Sequence, residues 1–127
     1  MLRLGREREA LGSVNDQHGC PTSARSIAWV LLGIADRYLQ SDAVEWGTYH
    51  YCNQPETTWF GFAQAIFKQA GGFENLQLTP IATSDYQTPA RRPQNSVLDC
   101  AKLETNFGIE QANWKDELGL VLAQIKS

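Results

Sequence analysis

The sequence predicts an α/β fold that forms one structural unit over residues 1–127. Helical and extended patterns alternate along the chain, and no internal repeat or flexible linker divides it. A hydrophobic content of 43% with 20% charged residues is typical of globular proteins. A chain of this length buries roughly two-thirds of the surface that its unfolded form exposes. We therefore expect four to five helices and three short strands around a single core.

The first two of five segments with helical spacing are residues 1–11 and 23–39. The first is a charged helix with no capping residue before it, whereas Thr22 or Ser23 can cap the second. The second helix bears apolar side chains on two nearly opposite sides, which are Ile27, Leu31, Ile34 and Tyr38 on one and Trp29 and Leu32 on the other. Because a short chain has few elements to cover both sides, this pattern indicates neighbours outside the sequence.

The last three helices have recognisable ends. Residues 58–70 form an amphipathic helix with Trp59 on its apolar face, where we expect it to pack in the core. Asp99 can cap a short helix that ends near Phe107. The final helix begins at Asn113 and carries one apolar stripe, formed by Trp114, Leu118, Val121, Leu122 and Ile125.

Three short stretches between the helices are rich in β-branched and aromatic residues. They comprise residues 12–16, 44–53 and 76–84. This composition favours strands. We expect three strands, of which the second contains Tyr49 and Tyr51.

Charge, cysteine content and hydropathy exclude several classes of protein. A net charge of −3 argues against a general affinity for nucleic acid. Cys20, Cys52 and Cys100 are odd in number and form no Cys-x-x-Cys pair, which favours buried thiols in a reducing cytosol over disulfides or a zinc site. No apolar run approaches the roughly 18 to 20 residues that span a bilayer, and no signal-peptide core is present. We expect a cytoplasmic protein with no membrane contact.

Residues 88–96 are the strongest candidate for a binding loop. Arg91 and Arg92 lie between Pro89 and Pro93, and prolines restrict the backbone on both sides. Guanidinium groups bind phosphate or carboxylate through two parallel hydrogen bonds. The loop therefore suits an anionic ligand. In an alternative that the sequence leaves open, the arginines form surface salt bridges with Asp85 or Asp99.

Motifs for most catalytic schemes are absent. The chain contains no Gly-x-Gly-x-x-Gly turn, no phosphate-binding loop that ends in Lys-Ser/Thr and no Gly-x-Ser-x-Gly elbow. His18 and His50 are isolated, which favours structural or exposed histidines over a base or a metal ligand. We assign no catalytic residue, no cofactor-binding residue and no metal ligand.

Three segments in order resemble the dTDP-4-dehydrorhamnose reductase family. They are residues 15–22 (Asn-Asp-Gln-His-Gly-Cys-Pro-Thr), residues 47–51 with Thr57-Thr58-Trp59, and residues 88–96 followed by Leu98-Asp99. The resemblance implies an extended short-chain dehydrogenase/reductase with a doubly wound NADPH-binding domain and a smaller region that binds the nucleotide sugar. This chain resembles the C-terminal part alone, an α+β unit in isolation. Its partners would be the N-terminal Rossmann half and a dTDP-sugar.

The resemblance also implies which residues bind substrate. These are Arg91, Arg92, Asn95 and Ser96 in the proline-flanked loop, and Gln17, Pro21 and Thr22 in the earlier loop, where Gly19 permits a sharp turn. For the earlier loop, a purely structural turn that caps the following helix is an equal alternative. The family's Tyr-x-x-x-Lys has no counterpart, because Tyr38, Tyr49, Tyr51 and Tyr86 lack a lysine four residues later.

The function that the resemblance implies is the binding of the dTDP-sugar in an NADPH-dependent oxidoreductase. The family reduces dTDP-4-dehydro-L-rhamnose to dTDP-L-rhamnose, and we expect this chain alone to hold no cofactor and to be inactive. Some relatives use Mg²⁺ and form homodimers. The alternative is a non-catalytic module similar to the regulatory subunit of methionine adenosyltransferase, which shares a Leu-Asp-Cys segment found here at residues 98–100.

Overall fold

The computed structural model describes residues 1–40, 44–86 and 88–126, and within them it confirms the mixed α/β fold class. The helices are α1 (Leu2–Glu7), α2 (Ala24–Gln40), α3 (Trp59–Ala70), α4 (Ala101–Phe107) and α5 (Trp114–Lys126). The strands are β1 (Ala10–Val14), β2 (His18–Gly19), β3 (Thr57–Thr58) and β4 (Gln77–Ile81), and a single 3₁₀ turn covers Thr83–Asp85. In this part of the chain no helix has both the length and the hydropathy to cross a membrane.

The strands form two small sheets. β1 pairs with β4 in parallel, with Ala10 opposite Gln77 and Val14 opposite Ile81. β2 pairs with β3 in antiparallel fashion, and His18 lies opposite Thr58. The two sheets therefore pair the first twenty residues with the segments that precede and follow α3 in the sequence.

The core lies between α3 and α5. It contains Ile66 of α3 and Trp114, Leu118 and Leu122 of α5. The indole N–H of Trp114 donates a hydrogen bond of 2.7 Å to the carbonyl of Pro55, so this buried ring is also satisfied as a donor. Two residues of the predicted stripe, Val121 and Ile125, are exposed instead.

Local hydrogen bonds explain where the helices begin and end. The hydroxyl of Thr58 accepts the N–H of Gly61 at the start of α3, and the hydroxyl of Ser23 accepts the N–H of Ser26, so Ser23 rather than Thr22 caps α2. The carboxylate of Asp99 accepts the N–H of Ala101. Gly108 ends α4 in the left-handed region at φ 66°.

Two of the predicted elements were wrong in position or kind. The helix predicted over residues 1–11 ends at Glu7, because the chain then extends to pair β1 with β4. The strand predicted over residues 44–53 is not formed. Near its end, the N–H groups of Cys52 and Asn53 bond instead to side chains of Cys100 and Thr22. A strand needs a partner, and no described strand pairs with this segment.

The prediction that Trp59 packs in the core was also wrong, since this residue is 55% exposed. It is the first residue of α3, and helical side chains point back towards the N-terminus. The ring therefore lies beside the loop before the helix and not on the buried stripe of Ala63 and Ile66.

Both apolar sides of α2 are largely open. Trp29 and Leu32 on one side are 64% and 62% exposed, and Leu31 on the other is 61% exposed. Only Ser26 and Val30 of this helix are buried. α2 thus presents an apolar surface that the described chain does not cover.

Replacement of Leu118 by alanine should destabilise the fold by about 2 to 5 kcal/mol, because it empties space in the α3–α5 core. Leu120→Ala is the matched control, since Leu120 lies on the same helix but is 43% exposed against 8% for Leu118. We expect a change of about 0.5 kcal/mol or less for the control. Urea denaturation measures both, and equal losses would contradict this placement of the core.

Candidate functional site

A cavity of about 1120 Å³ opens beside β1 and the start of α3. This size is sufficient for a nucleotide-sized ligand. Residues in and next to α1, the loop after β1, and residues 86, 88, 92, 93 and 96 complete its walls. The described lining residues are Met1, Leu4, Arg8, Ala10, Leu11, Gly12, Ser13, Val14, Gln17, His18, Gly19, Cys20, Pro21, Thr57, Thr58, Trp59, Phe62, Leu78, Tyr86, Thr88, Arg92, Pro93 and Ser96.

The charge of this cavity differs from that of the whole chain. The chain has 14 acidic residues and a net charge of −3, yet none of the described lining residues is Asp or Glu. Arg8 and Arg92 both line it. A concave surface with cations and no acids concentrates positive potential. The cavity is therefore suited to an anion that also carries an apolar or aromatic part.

Four of the seven predicted substrate-binding residues line this cavity, namely Gln17, Pro21, Arg92 and Ser96. The other three are placed elsewhere. The Thr22 hydroxyl donates to the carbonyl of Cys20 and accepts the N–H of Asn53. The Asn95 side chain accepts the N–H of Val97, and Arg91 is exposed outside the cavity walls. A ligand role for these three residues stays a prediction.

The alternative that the loop arginines pair with acids has no support among the residues described. The ion pairs found there are Arg3 with Glu7 at 3.9 Å and His18 with Glu56 at 3.6 Å. Neither Asp85 nor Asp99 forms a salt bridge with Arg91 or Arg92 within the described chain. Both guanidinium groups thus remain available to a ligand.

The main chain of His18 joins the two loops that carry the predicted site. Its N–H donates to the carbonyl of Gln94 at 2.7 Å, and its carbonyl accepts the N–H of Ser96 at 2.9 Å. The hydroxyl of Ser96 donates to the same carbonyl at 3.0 Å. Arg92 and Pro93 are therefore held next to the 17–21 loop by bonds that do not depend on side-chain identity at residue 18.

Gly19 serves this junction by its small size. A Cβ atom there would lie 2.8 Å from the hydroxyl oxygen of Ser96. The sharp turn expected at Gly19 is not seen in its backbone, because the glycines with positive φ are Gly47, Gly71, Gly72 and Gly108. Close approach, and not turn geometry, explains glycine at this position.

A second junction connects the Asp16 carboxylate with Thr83. This carboxylate accepts the Thr83 hydroxyl at 2.6 Å and the Thr83 N–H at 2.9 Å. The side-chain amide of Gln17 donates to the Thr83 hydroxyl at 3.1 Å. These bonds, the one from the Thr83 side chain above all, hold the pKa of Asp16 below its ordinary value. The turn before Tyr86 is thereby fixed against the 17–21 loop.

Three cysteines are close together behind the cavity. Cys52 and Cys100 are buried with their sulfurs 3.9 Å apart, as predicted for reduced thiols, and Cys20 lies at the cavity wall. All three are free. Burial, followed by a hydrogen bond with Cys52, raises the pKa of Cys20 to about 12. A neutral thiol is a weak nucleophile, so the raised pKa lowers the reactivity of Cys20.

Sequence reasoning missed three cavity residues. Arg8 was assigned to a charged helix, but α1 ends at Glu7 and Arg8 is extended at φ −133° and ψ 144°. Trp59 and Tyr86 each expose 55% of their surface and line the cavity. The Thr57-Thr58-Trp59 segment was noticed as a motif, and the position of Trp59 at the start of a helix was the signal that it faces the preceding loop.

The described residues do not provide a metal or dinucleotide site. They contain no group of three His, Cys, Asp or Glu residues that could hold a metal ion. Their sheets have two strands each and so do not form the doubly wound sheet that binds NADPH. The Mg²⁺ and homodimers expected for some relatives stay predictions.

The fold and the cavity together define a small α/β module with a cationic, acid-free cavity. Residues 1–127 match the family model described as "RmlD substrate binding domain". The chain belongs to this family, and the resemblance read from its motifs is confirmed.

Curated relatives and solved structures agree with that assignment. The chain is 42% identical to a dTDP-4-dehydrorhamnose reductase of Aggregatibacter actinomycetemcomitans over 93% of its own length and 42% of the relative. It is also 42% identical to that of Burkholderia thailandensis, over 100% of the chain and 46% of the relative. The chain therefore spans less than half the length of these curated relatives.

Solved dTDP-4-dehydrorhamnose reductases share the fold. The structure from Clostridium acetobutylicum superposes with a TM-score of 0.88 at 31% identity, over 99% of this chain and 42% of that one. The structure from Bacillus anthracis, in complex with NADP, gives 0.79 at 28% identity over 97% of this chain and 41% of that one. The chain thus corresponds to about two fifths of each solved relative.

Thr83→Val should move the pKa of Asp16 up towards its ordinary value of 3.8, because it removes the hydroxyl donor and keeps the main-chain N–H. The depressed pKa means that the carboxylate stabilises the fold above pH 3.8 and that this stabilisation is lost as pH falls through the folded pKa. A carboxyl ¹³C NMR titration measures the shift. Thr79→Val on β4 is the control, and an unchanged titration of Asp16 in Thr83→Val would contradict the junction.

Cys20 should react slowly with iodoacetamide in the native chain. At pH 9 a thiol with a pKa of about 12 is almost wholly protonated, so we expect alkylation on the order of 100-fold slower than in urea. The pKa of Cys20 is raised from 9.0 in the folded chain, so the protonated thiol stabilises the fold. This contribution is complete below pH 9 and is lost as pH rises towards 12. Peptide mass spectrometry follows Cys20 separately. Equal rates in the native and unfolded chain would show that its thiol is not protected.

Proposed function

We propose that this chain is the nucleotide-sugar-binding part of a dTDP-4-dehydrorhamnose reductase. It would hold dTDP-4-dehydro-L-rhamnose while the NADPH-carrying remainder of the enzyme reduces the 4-keto group to give dTDP-L-rhamnose. The observation that carries the proposal is the acid-free cavity that Arg92 and Ser96 line together with Gln17 and Pro21. The family match and the reductase relatives support the same ligand.

The chemistry of the cavity suits each part of such a ligand. Arg92 supplies a guanidinium for the diphosphate. Trp59 and Tyr86 supply exposed aromatic faces for the base or the sugar. Binding energy from the remote nucleotide would position the keto carbon for a hydride delivered by the rest of the enzyme.

The open surface of α2 supports the proposal that a further domain belongs with this chain. Trp29, Leu31 and Leu32 are exposed on its two sides, and residues 44–53 have no partner strand in the described chain. We propose that an N-terminal Rossmann half covers α2 and pairs with this segment. The chain's length, less than half that of its curated relatives, is consistent with such an arrangement.

The regulatory alternative has no observation in its favour. The Leu98-Asp99-Cys100 segment that suggested it is explained locally, because Asp99 accepts the N–H of Ala101 at the start of α4 and Cys100 is buried beside Cys52. The relatives named above are reductases. We therefore favour the reductase.

Arg92→Ala should weaken binding of dTDP to the chain by about 1.5 to 3 kcal/mol, through loss of a charge-assisted contact. Arg3→Ala is the control, since Arg3 is exposed, pairs with Glu7 and does not line the cavity. Isothermal titration calorimetry at constant ionic strength measures both, with circular dichroism to verify folding. Absence of dTDP binding by the parent chain, or equal binding by all three proteins, would count against the proposed function.

A further inference from the structure

We propose that Arg8 is a second phosphate-binding residue of this cavity and shares the diphosphate of the nucleotide with Arg92. The inference rests on the proposed function and extends it to a residue outside both predicted loops. Arg8 lies between α1 and β1, whereas Arg92 lies far along the chain in the proline-flanked loop. The diphosphate would thus join two distant segments.

The position of Arg8 follows from where α1 ends. Three arginines occur close together at residues 3, 6 and 8. Arg3 is on the helix surface and pairs with Glu7 at 3.9 Å. Arg6 lines a different, smaller cavity of about 340 Å³ with Leu2 and Phe73. The extended backbone at residue 8 places Arg8 alone of the three at the large cavity.

The charges around Arg8 and Arg92 also favour a shared anion. Within the described chain, no Asp or Glu forms a salt bridge with Arg8 or with Arg92. The walls that they share contain no described acid. Arg8 and Arg92 bring two positive charges to one concave site, and a nucleoside diphosphate carries at least two negative charges at neutral pH. The charge of such a ligand is balanced by two arginines, whereas a single arginine would leave part of it unpaired.

A purely structural role for Arg8 makes a different prediction. Cations near the C-terminus of a helix interact favourably with its dipole, and both Arg6 and Arg8 are at the end of α1. If this were the only role of Arg8, then Arg6→Ala and Arg8→Ala would have the same effects on stability and neither would affect ligand affinity. Arg6→Ala is therefore the matched control.

The test titrates dTDP, dTMP and thymidine into the parent chain and into Arg8→Ala, Arg6→Ala and Arg92→Ala. We expect Arg8→Ala to weaken the binding of dTDP by about tenfold or more and that of dTMP by less, and to leave the binding of thymidine unchanged. Arg6→Ala should bind dTDP within about twofold of the parent, as expected for a residue that makes no contact with ligand. Normal dTDP affinity in Arg8→Ala, with a loss in Arg92→Ala, would overturn this inference and leave the proposed function intact.

A second measurement uses the unmutated chain and so does not depend on the variants folding. Phenylglyoxal modifies accessible arginines, and peptide mass spectrometry reports each site. Saturating dTDP should slow modification of Arg8 and Arg92 but not of Arg3 or Arg6. Protection of Arg92 alone would overturn the role of Arg8, whereas no protection at either site would contradict the proposed function as well.

Discussion

The site depends on the hydrogen bonds that residues 15–19 make, through the main chain and the Asp16 carboxylate, with three other segments. His18 bonds to Gln94 and Ser96, β2 pairs with β3, and Asp16 holds Thr83. The segments that they join lie far apart in the sequence, and residues in or near each of them line the cavity. The cavity side chains are thereby positioned by a short extended segment and not by a large sheet. Hydrogen bonds between distant segments are worth little singly, so their cooperation at one place determines whether the walls come together.

Features set by neighbouring residues were predictable from the sequence. The ends of α3 and α4 follow from Thr58, Asp99 and Gly108, whose capping interactions are local. The proline-flanked loop was recognisable because composition alone limits its conformations. The family was recognisable because its motifs occur in order.

Features set by distant partners were not predictable. α1 stops at Glu7 because β1 pairs with β4, which lies far along the chain. Arg8 is therefore extended and lines the cavity. The side chains that line the cavity are selected by how loops meet, so Arg91 and Arg92 are adjacent in sequence but differ in position. Residues 44–53 have strand composition without a strand, because β-propensity alone does not form a strand and no described strand pairs with this segment. Trp59 has the spacing of a core residue, yet its place on the first turn exposes it.

The link through residue 18 has a consequence for how such domains diversify. Because the N–H and carbonyl of His18 make the bonds to Gln94 and Ser96, nearly any amino acid at that position preserves the scaffold. Substitutions at exposed cavity residues such as Trp59 and Tyr86 therefore change the shape of the cavity without breaking this link. At Gly19 the constraint is different, because a methyl group would lie 2.8 Å from the Ser96 hydroxyl and that side chain would have to move.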